Sequence, residues 1–369
     1  MRIEKLLDDV GSRVVIPKPF DMHHHPRDGH LLRIIAPMLA KRFAGGIIMP
    51  NTVPPITTAA MVQEYYEKIV EAAGQPFRPL MTLYLTDTLD HWEVDMALSA
   101  GLTAGVKYYP RGLTTNSDSG VSDPAALWTE DTGPYQVLRT LSERGAILLL
   151  HAADGFNANG EELDPYEQEP HFIRETLPRI IDAHPELKIS VEHLSTKNGA
   201  TFIQENGSER LGCSLTPHHL LLDRRDLHRG GFNPHNSWIP IIQGQEHKEA
   251  LRELASAGHS FVWLGSDSAP HPIGDKEAAC CKGGVMTVHA GIELYAEAFE
   301  TMGALDKLEN FASIYGPAFY GVPPSDELIT LVRERWTVLD NFSIPAEDPR
   351  MGQIRPFRRG ESVGWKLVA

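Results

Sequence analysis

Eight short apolar runs, each bounded by turn residues, constrain the fold of this chain more than any other feature. They lie at residues 20–25, 46–51, 80–86, 105–110, 147–151, 189–193, 213–219 and 261–267. Most of the runs show little polar alternation, which is typical of strands buried on both faces of a parallel sheet. The sequence therefore predicts eight buried parallel strands.

Helical patterns separate these runs, at residues 31–43, 59–73, 90–100, 125–144, 172–183, 199–205 and 245–257. Regular alternation of strand and helix over eight units predicts an α/β protein, a (β/α)8 TIM barrel with its active site at the carboxyl ends of the strands. An open doubly wound sheet is the alternative. The barrel is favoured because there are eight strands and because no glycine fingerprint follows the first of them.

We expect residues 1–369 to form a single barrel domain with terminal extensions, because no linker rich in Pro, Gly or Ser divides the chain. After the eighth strand, residues 286–301, 308–315 and 326–335 are predicted to be closing helices. A C-terminal extension is expected from about residue 322, and its last part, residues 353–368, should pack on the barrel.

Charge and cysteine content exclude several classes of protein. Lysine and arginine total 34 against 49 acidic residues, a net charge of −15, and no basic run exceeds two residues, which argues against a nucleic-acid partner. The three cysteines show no CxxC spacing, so nitrogen and oxygen atoms should hold any metal. Residues 1–10 carry acids where a signal peptide has its apolar core, and no apolar run approaches the ~18 residues of a membrane span. We therefore expect a cytoplasmic protein without a membrane partner.

The first run ends in three consecutive histidines, His23, His24 and His25. Side chains alternate along a strand, so His23 and His25 should share one face while His24 points to the other. An inward His-x-His pair can chelate a metal ion. The alternatives are a fragment of an affinity tag or core histidines bonded to the backbone.

Other polar residues occur at or near the ends of later runs. Lys107 lies in the fourth run, and His151, His193 and Asp267 end the fifth, sixth and eighth. Taken alone, Lys107 would pair with a carboxylate or extend its amine to solvent, and Asp267 would cap a helix. Because the strand ends of a barrel converge on one site, the histidines together favour a metal centre.

In strand order, these side chains resemble the signature of the amidohydrolase superfamily. The six residues are His23, His25, Lys107, His151, His193 and Asp267. The resemblance implies that they bind two Zn²⁺ ions per chain, bridged by Lys107 carboxylated on its side-chain nitrogen (N6). It further implies that Asp267 is catalytic, as the residue that carries the proton.

Longer stretches resemble bacterial dihydroorotases of the shorter, single-chain type over nearly the whole length. They include residues 23–29, 49–51, 54–58, 84–87, 107–110, 114–117, 216–220, 265–271 and 315–321. The resemblance implies that Arg27, Asn51 and His271 bind the substrate carboxylate, although Arg27 could instead form a surface ion pair with Asp28. The backbone of Leu220 and of Gly283 would meet the pyrimidine ring.

The same resemblance implies a mobile loop at Thr114 and Thr115 whose hydroxyls cover the substrate. The implied activity is reversible hydrolysis of dihydroorotate to N-carbamoyl-L-aspartate in pyrimidine biosynthesis, with a small molecule as substrate and a homodimer as the assembly. One alternative is another cyclic-amide hydrolase, such as a hydantoinase or allantoinase, which needs no carboxylate clamp. The other is a non-catalytic scaffold of the pathway, but such relatives lose metal ligands and this chain retains all six.

Overall fold

The computed structural model describes residues 13–368 of the chain. Residues 1–10, on which the prediction about a signal peptide rests, lie outside the described residues. The first described strand, β1, spans Arg13–Pro17. Within residues 13–368, no helix combines the length and the apolar character needed to cross a membrane.

Eight parallel strands form one sheet in which each strand pairs with the next along the chain. They are β2 (Phe20–His24), β3 (Gly45–Ile48), β4 (Arg78–Leu85), β5 (Gly105–Tyr108), β6 (Ile147–Leu150), β7 (Lys188–Val191), β8 (Leu211–Leu215) and β9 (Val262–Leu264). The sheet closes on itself just beyond β9, where the Asp267 amide donates to the carbonyl of His23 at 2.9 Å. The predicted (β/α)8 barrel is confirmed, and the doubly wound sheet is excluded.

Helices connect the strands and form the outer layer of the barrel. The longer α-helices span Gly29–Arg42, Ala59–Ala73, His91–Ser99, Gly133–Arg144, Leu177–Ala183, Lys197–Asn206, Gln245–Ala257 and Gly291–Thr301. Shorter helical segments of α, 3₁₀ or π type span Pro124–Leu127, Gln168–His171, Phe172–Thr176, Pro217–Leu221, Arg224–His228, Pro234–Asn236, Ile273–Lys276, Val288–Ala290, Leu305–Lys307, Asn310–Ile314 and Tyr315–Phe319.

The helix predicted over residues 125–144 is broken into two segments. Pro124–Leu127 is a short 3₁₀ turn, and a new helix starts at Gly133. Thr132 accepts a hydrogen bond from the Tyr135 amide and so caps this second helix. A threonine cap stabilises a helix start and is incompatible with a helix that continues through it.

The helix predicted over residues 326–335 is wrong, because this segment contains strand β10 (Leu328–Val332). Its buried residues, Ile329 and Leu331, alternate with more exposed ones, which is the period of a strand and not of a helix. β10 pairs antiparallel with β1 over five residues. The prediction failed because the partner strand lies at the opposite end of the chain.

The C-terminal extension adds short antiparallel strands beside the barrel. They are β11 (Trp336–Thr337), β12 (Phe342–Ser343), β13 (Gln353–Ile354), β14 (Ser362–Val363) and β15 (Lys366–Leu367). The Phe357 amide donates to the carbonyl of Met286 at 2.8 Å, and the Phe357 ring is buried. Phe357 therefore joins the extension to the segment that follows β9.

An apolar plug fills the amino-terminal end of the barrel interior. Its buried members are Phe20, Met22, Ile47, Met49, Ile147, Leu149, Trp263, Phe319 and Val322. The Phe319 and Trp263 rings lie with their centroids 4.5 Å apart. Lys188, the first residue of β7, donates to the Phe319 carbonyl, which places Phe319 below the amino ends of the strands. The predicted site residues His25, Arg27, His151, His193 and Asp267 instead line a cavity at the opposite end.

Candidate active site

His23, His25 and Asp267 form a buried cluster at the carboxyl end of the barrel. Their candidate ligand atoms all lie within 4.8 Å of one another. The two histidine Nε2 atoms are 3.3 Å apart, and Asp267 Oδ1 lies 3.1 Å from that of His25. Two imidazole nitrogens and a carboxylate oxygen that converge in this way form a donor set suited to zinc.

His151 and His193 extend this cluster on its other side. His151 Nδ1 lies 3.1 Å from His193 Nε2. The His193 ring is 4.7 Å, centroid to centroid, from the rings of both His23 and His151. The four predicted imidazole ligands therefore form one continuous group.

Burial controls the charge of these imidazoles. Desolvation lowers the pKa of His23, His25, His151 and His193 well below the usual histidine value. A neutral imidazole has a free lone pair, which is the form that binds a metal ion.

Two further side chains orient the first histidine pair. Glu192 Oε2 lies 2.6 Å from His23 Nδ1, and Asn51 Oδ1 lies 2.8 Å from His25 Nδ1. An acceptor at Nδ1 fixes the tautomer in which Nε2 carries the lone pair. Sequence reasoning missed this role of Glu192, although a carboxylate directly before His193 at the end of an apolar strand was a signal for it.

Lys107, the third residue of β5, has no exposed surface. Its Nζ atom has no hydrogen-bond partner and lies 5.2 Å from the centroid of the Tyr109 ring. Burial lowers the pKa of this amine to about 8. A buried amine without a partner is costly, so the surroundings of Lys107 fit a nitrogen that is modified or that engages a further group.

His24 faces away from this group, as the alternation along a strand predicts. Its Nδ1 lies 2.9 Å from Asp21 Oδ2 and 3.4 Å from Ser266 Oγ. Asp21 also accepts from the Ser266 amide, which ties the end of β2 to the segment after β9. His24 therefore lies on the face of β2 opposite His23 and His25 and contacts Asp21 and Ser266 there.

Three residues of the site have a left-handed backbone. The φ angles are 67° at Arg27, 41° at His193 and 44° at Asp267. This region is disfavoured for residues other than glycine and persists only where the surrounding structure enforces it. The closing hydrogen bond from the Asp267 amide to His23 is one such constraint.

A small cavity of about 30 Å³ lies beside the cluster. Most of the predicted site residues line it, namely His25, Arg27, Asn51, Thr114, Thr115, His151, His193, Asp267 and Gly283. Burial raises the pKa of Asp267 to about 8, and the positive charges of Lys107 and Arg27 oppose that shift. The cavity thus joins predicted metal-ligand side chains to a guanidinium group.

Arg27 lines this cavity, and His271, which does not line it, contacts Arg27. Arg27 Nη2 lies 3.0 Å from His271 Nε2, and Arg27 Nε donates to the carbonyl of Pro270 at 3.2 Å. His271 Nε2 lies 3.1 Å from the carbonyl oxygen of Gly283. Arg27 contacts His271 and not Asp28, so the surface ion pair considered from the sequence is not formed.

The loop carrying Thr114 and Thr115 covers the cavity. Thr115 Oγ1 donates to the Gly283 carbonyl at 3.0 Å, and the Asn51 side-chain amide donates to the Thr115 carbonyl at 3.1 Å. Two residues on opposite sides of the site therefore hold the loop closed.

Leu220 does not line the cavity. It lies in the short helix Pro217–Leu221, and its amide donates to the Thr216 carbonyl. Ile239 and Ala269 supply apolar side chains at the cavity, and sequence reasoning missed both, together with Tyr109. A Cβ atom built on Gly283 would lie 2.7 Å from Ile239 Cγ1, so glycine permits this close contact.

Comparisons with known proteins agree with this geometry. No protein-family model matches the chain. A dihydroorotase from Aromatoleum aromaticum is 42% identical over 353 residues, covering 95% of this chain and 98% of that relative. Dihydroorotase from Saccharomyces cerevisiae, solved in complex with 5-fluoroorotic acid, superposes with a TM-score of 0.87 at 29% identity, covering 97% of this chain and 98% of that one.

A second solved structure, dihydroorotase from Campylobacter jejuni, gives a TM-score of 0.84 at 30% identity, with 97% of this chain and 98% of that chain covered. The matches thus cover nearly the full length of this chain. The chain belongs to the dihydroorotase family of the amidohydrolase superfamily.

Proposed function

We propose that this chain catalyses the reversible hydrolysis of dihydroorotate to N-carbamoyl-L-aspartate. One observation carries the proposal: a single cavity is lined by Asp267 and imidazoles on one side and by Arg27 and Asn51 on the other. Cyclic-amide hydrolysis needs the first group of side chains, and a substrate bearing a carboxylate needs the second.

The metal-dependent part of the proposal rests on the six predicted ligands. We infer that His23, His25, His151, His193 and Asp267 would hold two Zn²⁺ ions, with Lys107, carboxylated on its amine, as the sixth ligand. The convergence of neutral imidazoles and the unpaired Lys107 amine support this. When bound, such ions supply Lewis-acid charge that activates water and polarises the scissile carbonyl.

Arg27 binds the substrate carboxylate in this scheme. A guanidinium fork forms two parallel hydrogen bonds to a carboxylate, a geometry that an ammonium cannot match. The bonds to Pro270 and the contact with His271 hold the guanidinium in place before substrate arrives. Asn51 and His271 complete the carboxylate site. A hydantoinase does not need such a site, because its substrate has no carboxylate.

Asp267 transfers the proton. Its carboxylate accepts a proton from the attacking water and delivers it to the amide nitrogen that leaves as the ring opens. Burial favours the protonated form of Asp267, whereas nearby positive charge favours the carboxylate needed as a base. The balance between these two effects suits a group that both accepts and donates a proton.

The loop at Thr114 and Thr115 admits substrate by opening. A cavity of about 30 Å³ holds about one water molecule and no pyrimidine ring. The two hydrogen bonds made by Thr115 and Asn51 must therefore break before binding and can re-form over the substrate, excluding bulk water.

The experiment that tests the proposal compares four compounds as substrates of the purified wild-type protein. Dihydroorotate should be hydrolysed and N-carbamoyl-L-aspartate should be cyclised. Dihydrouracil and hydantoin lack the carboxylate and should be poor substrates. Comparable turnover of either would favour the hydantoinase alternative and remove the assigned roles of Arg27, Asn51 and His271.

The homodimer, the single domain and the cytoplasmic location stay predictions of the sequence and of the family resemblance. Sedimentation equilibrium of the purified chain tests the first of these directly. A species of one chain at micromolar concentration would contradict the dimer without affecting the proposed reaction.

A further inference from the structure

Lys276 is a buried lysine outside the substrate cavity. It ends the short helix Ile273–Lys276, and its exposed fraction is 3%. Its Nζ atom donates to three backbone carbonyls, those of Ser237 at 2.6 Å, Lys282 at 2.8 Å and Gly284 at 2.9 Å. Among residues 13–368, no carboxylate forms an ion pair with it. An ammonium has three donors, and here all three are used by the backbone.

The three carbonyls belong to two chain segments, residues 237–239 and 282–284, which we call the cavity wall. Ile239, Gly283 and Gly284 of this wall line the substrate cavity. The Gly284 amide also donates to the Ser237 carbonyl at 3.1 Å, which makes the two segments adjacent. Lys276 therefore joins the wall from the side facing away from substrate.

The wall in turn sets the position of groups that face the substrate. The Gly283 carbonyl accepts from Thr115 Oγ1 and lies 3.1 Å from His271 Nε2. The Gly284 φ angle is +144°, and a Cβ atom there would lie 2.5 Å from the Ala269 carbonyl. Both the loop contact and the carboxylate site thus depend on where residues 283 and 284 lie.

We propose that Lys276 is a positioning residue for substrate binding, because its ammonium holds the two segments of the cavity wall together. The inference rests on the proposed function, since it concerns the same cavity. Without the ammonium, the Lys282 and Gly284 carbonyls lose this donor and only the hydrogen bond from the Gly284 amide to the Ser237 carbonyl joins the two segments, so the wall is held less firmly. Burial lowers the pKa of Lys276 to about 8, so the donating ammonium still predominates at neutral pH.

Lys276→Met tests this role, because methionine keeps the volume and removes the donors. Lys18→Met is the matched control. Lys18 is buried to a similar degree, at 5% exposed, but pairs with Glu327 away from the cavity. The readouts are the Kd for 5-fluoroorotate by calorimetry, the KM and kcat for dihydroorotate, the metal content and the melting temperature.

In Lys276→Met, the Kd and KM should rise about tenfold while kcat stays within about threefold, as lost ground-state binding requires. Metal content should match wild type. Lys18→Met should lower the melting temperature and leave Kd unchanged. Lys276→Arg keeps the charge, but its planar fork cannot direct donors to three converging carbonyls, so Kd should rise about threefold. That variant keeps the test decisive if the methionine variant does not fold.

Two results would overturn the role of Lys276. One is ligand binding at the wild-type level in the variant that folds. The other is a loss of metal in parallel with the loss of binding, which would indicate general disruption. A wild-type protein that binds no 5-fluoroorotate and turns over no dihydroorotate would instead overturn the proposed function, and this inference with it.

Discussion

The amino-terminal and carboxyl-terminal ends of the barrel are built from the same eight strands but carry opposite kinds of side chain. At the amino end, Phe20, Trp263 and Phe319 belong to a buried apolar plug. At the carboxyl end, the buried positions hold imidazoles, carboxylates and Lys107. The first set can bury its surface without further partners, whereas the second is costly unless each polar group is satisfied.

Backbone geometry follows the same division. The left-handed residues Arg27, His193 and Asp267 all lie at the carboxyl end, within the site. Three of the six non-glycine residues with positive φ among residues 13–368 therefore belong to the site, where the surrounding structure must enforce this conformation. We therefore expect substitutions at the carboxyl end to reduce activity more than stability, and substitutions at the amino end to reduce stability more than activity.

The largest effect is expected for Asp267→Asn. Asparagine tolerates the left-handed backbone of this position but cannot carry the proton, so activity should fall by about 10² to 10⁴. Much of the bound metal and the free energy of unfolding should be retained. Initial rates of dihydroorotate hydrolysis measure the change, and a rate within about tenfold of wild type would contradict the proton-transfer role.

At the amino end of the barrel, Phe319→Ala should lower stability and leave activity unchanged. Removing a ring that packs on Trp263 should lower the free energy of unfolding by about 3 to 5 kcal/mol. Turnover per folded molecule should stay near wild type, because Phe319 does not line the substrate cavity. Urea unfolding and active-site titration measure the two quantities. A specific loss of kcat in fully folded protein would show that the ends are not separable.

Arg27→Ala tests whether substrate binding at the carboxyl end can be separated from metal binding. Leaving the substrate carboxylate unpaired should cost about 2 to 5 kcal/mol in kcat/KM, with metal content unchanged. Arg27→Lys should recover only part of this loss. The residual turnover of dihydrouracil serves as the control, since a substrate without a carboxylate should respond little to the substitution. Equal losses for both substrates would argue against a carboxylate clamp.

The smallest effect concerns acid stability. Burial lowers the pKa of His219 to about 4, while its ring nitrogens lie 2.8 Å from Thr216 Oγ1 and 3.1 Å from the Pro240 carbonyl. The unfolded chain binds this proton near pH 6.5 and the folded chain does not. Stability is therefore complete above pH 6.5 and falls by up to about 1.4 kcal/mol per pH unit between pH 6.5 and 4.

His219→Gln should remove the contribution of one proton from the dependence of stability on pH, which is about 1.4 kcal/mol per pH unit. The remaining slope should not be zero, since the other buried histidines also resist protonation. Urea midpoints measured from pH 7 to pH 4 provide the test. An identical slope in the variant would mean that His219 is protonated in the folded state.

Local sequence patterns were sufficient for the barrel strands and insufficient for the extension. Buried parallel strands are apolar along their whole length, so residues 20–25 and 147–151 were recognisable without partners. β1 was missed and β10 was taken for a helix, because each is a strand only by virtue of the other. When a strand pairs with a segment at the other end of the chain, its local sequence does not identify that partner.

The site shows the same limit. The metal-ligand side chains could be grouped from sequence because the carboxyl ends of barrel strands converge. Ile239 and Lys276 could not, since they lie in segments whose position depends on contacts with distant residues. The proposed contact between the Leu220 backbone and the pyrimidine ring stays a prediction, because Leu220 does not line the cavity in this structure.

The most direct test of the account is a crystal structure of the active protein with anomalous scattering at the zinc edge, alongside metal analysis of the same sample. The account predicts two ions per chain, ligated by His23, His25, His151, His193 and Asp267, with density for a carboxylate on the Lys107 amine. One ion per chain at full activity, or an unmodified Lys107 distant from both ions, would contradict it.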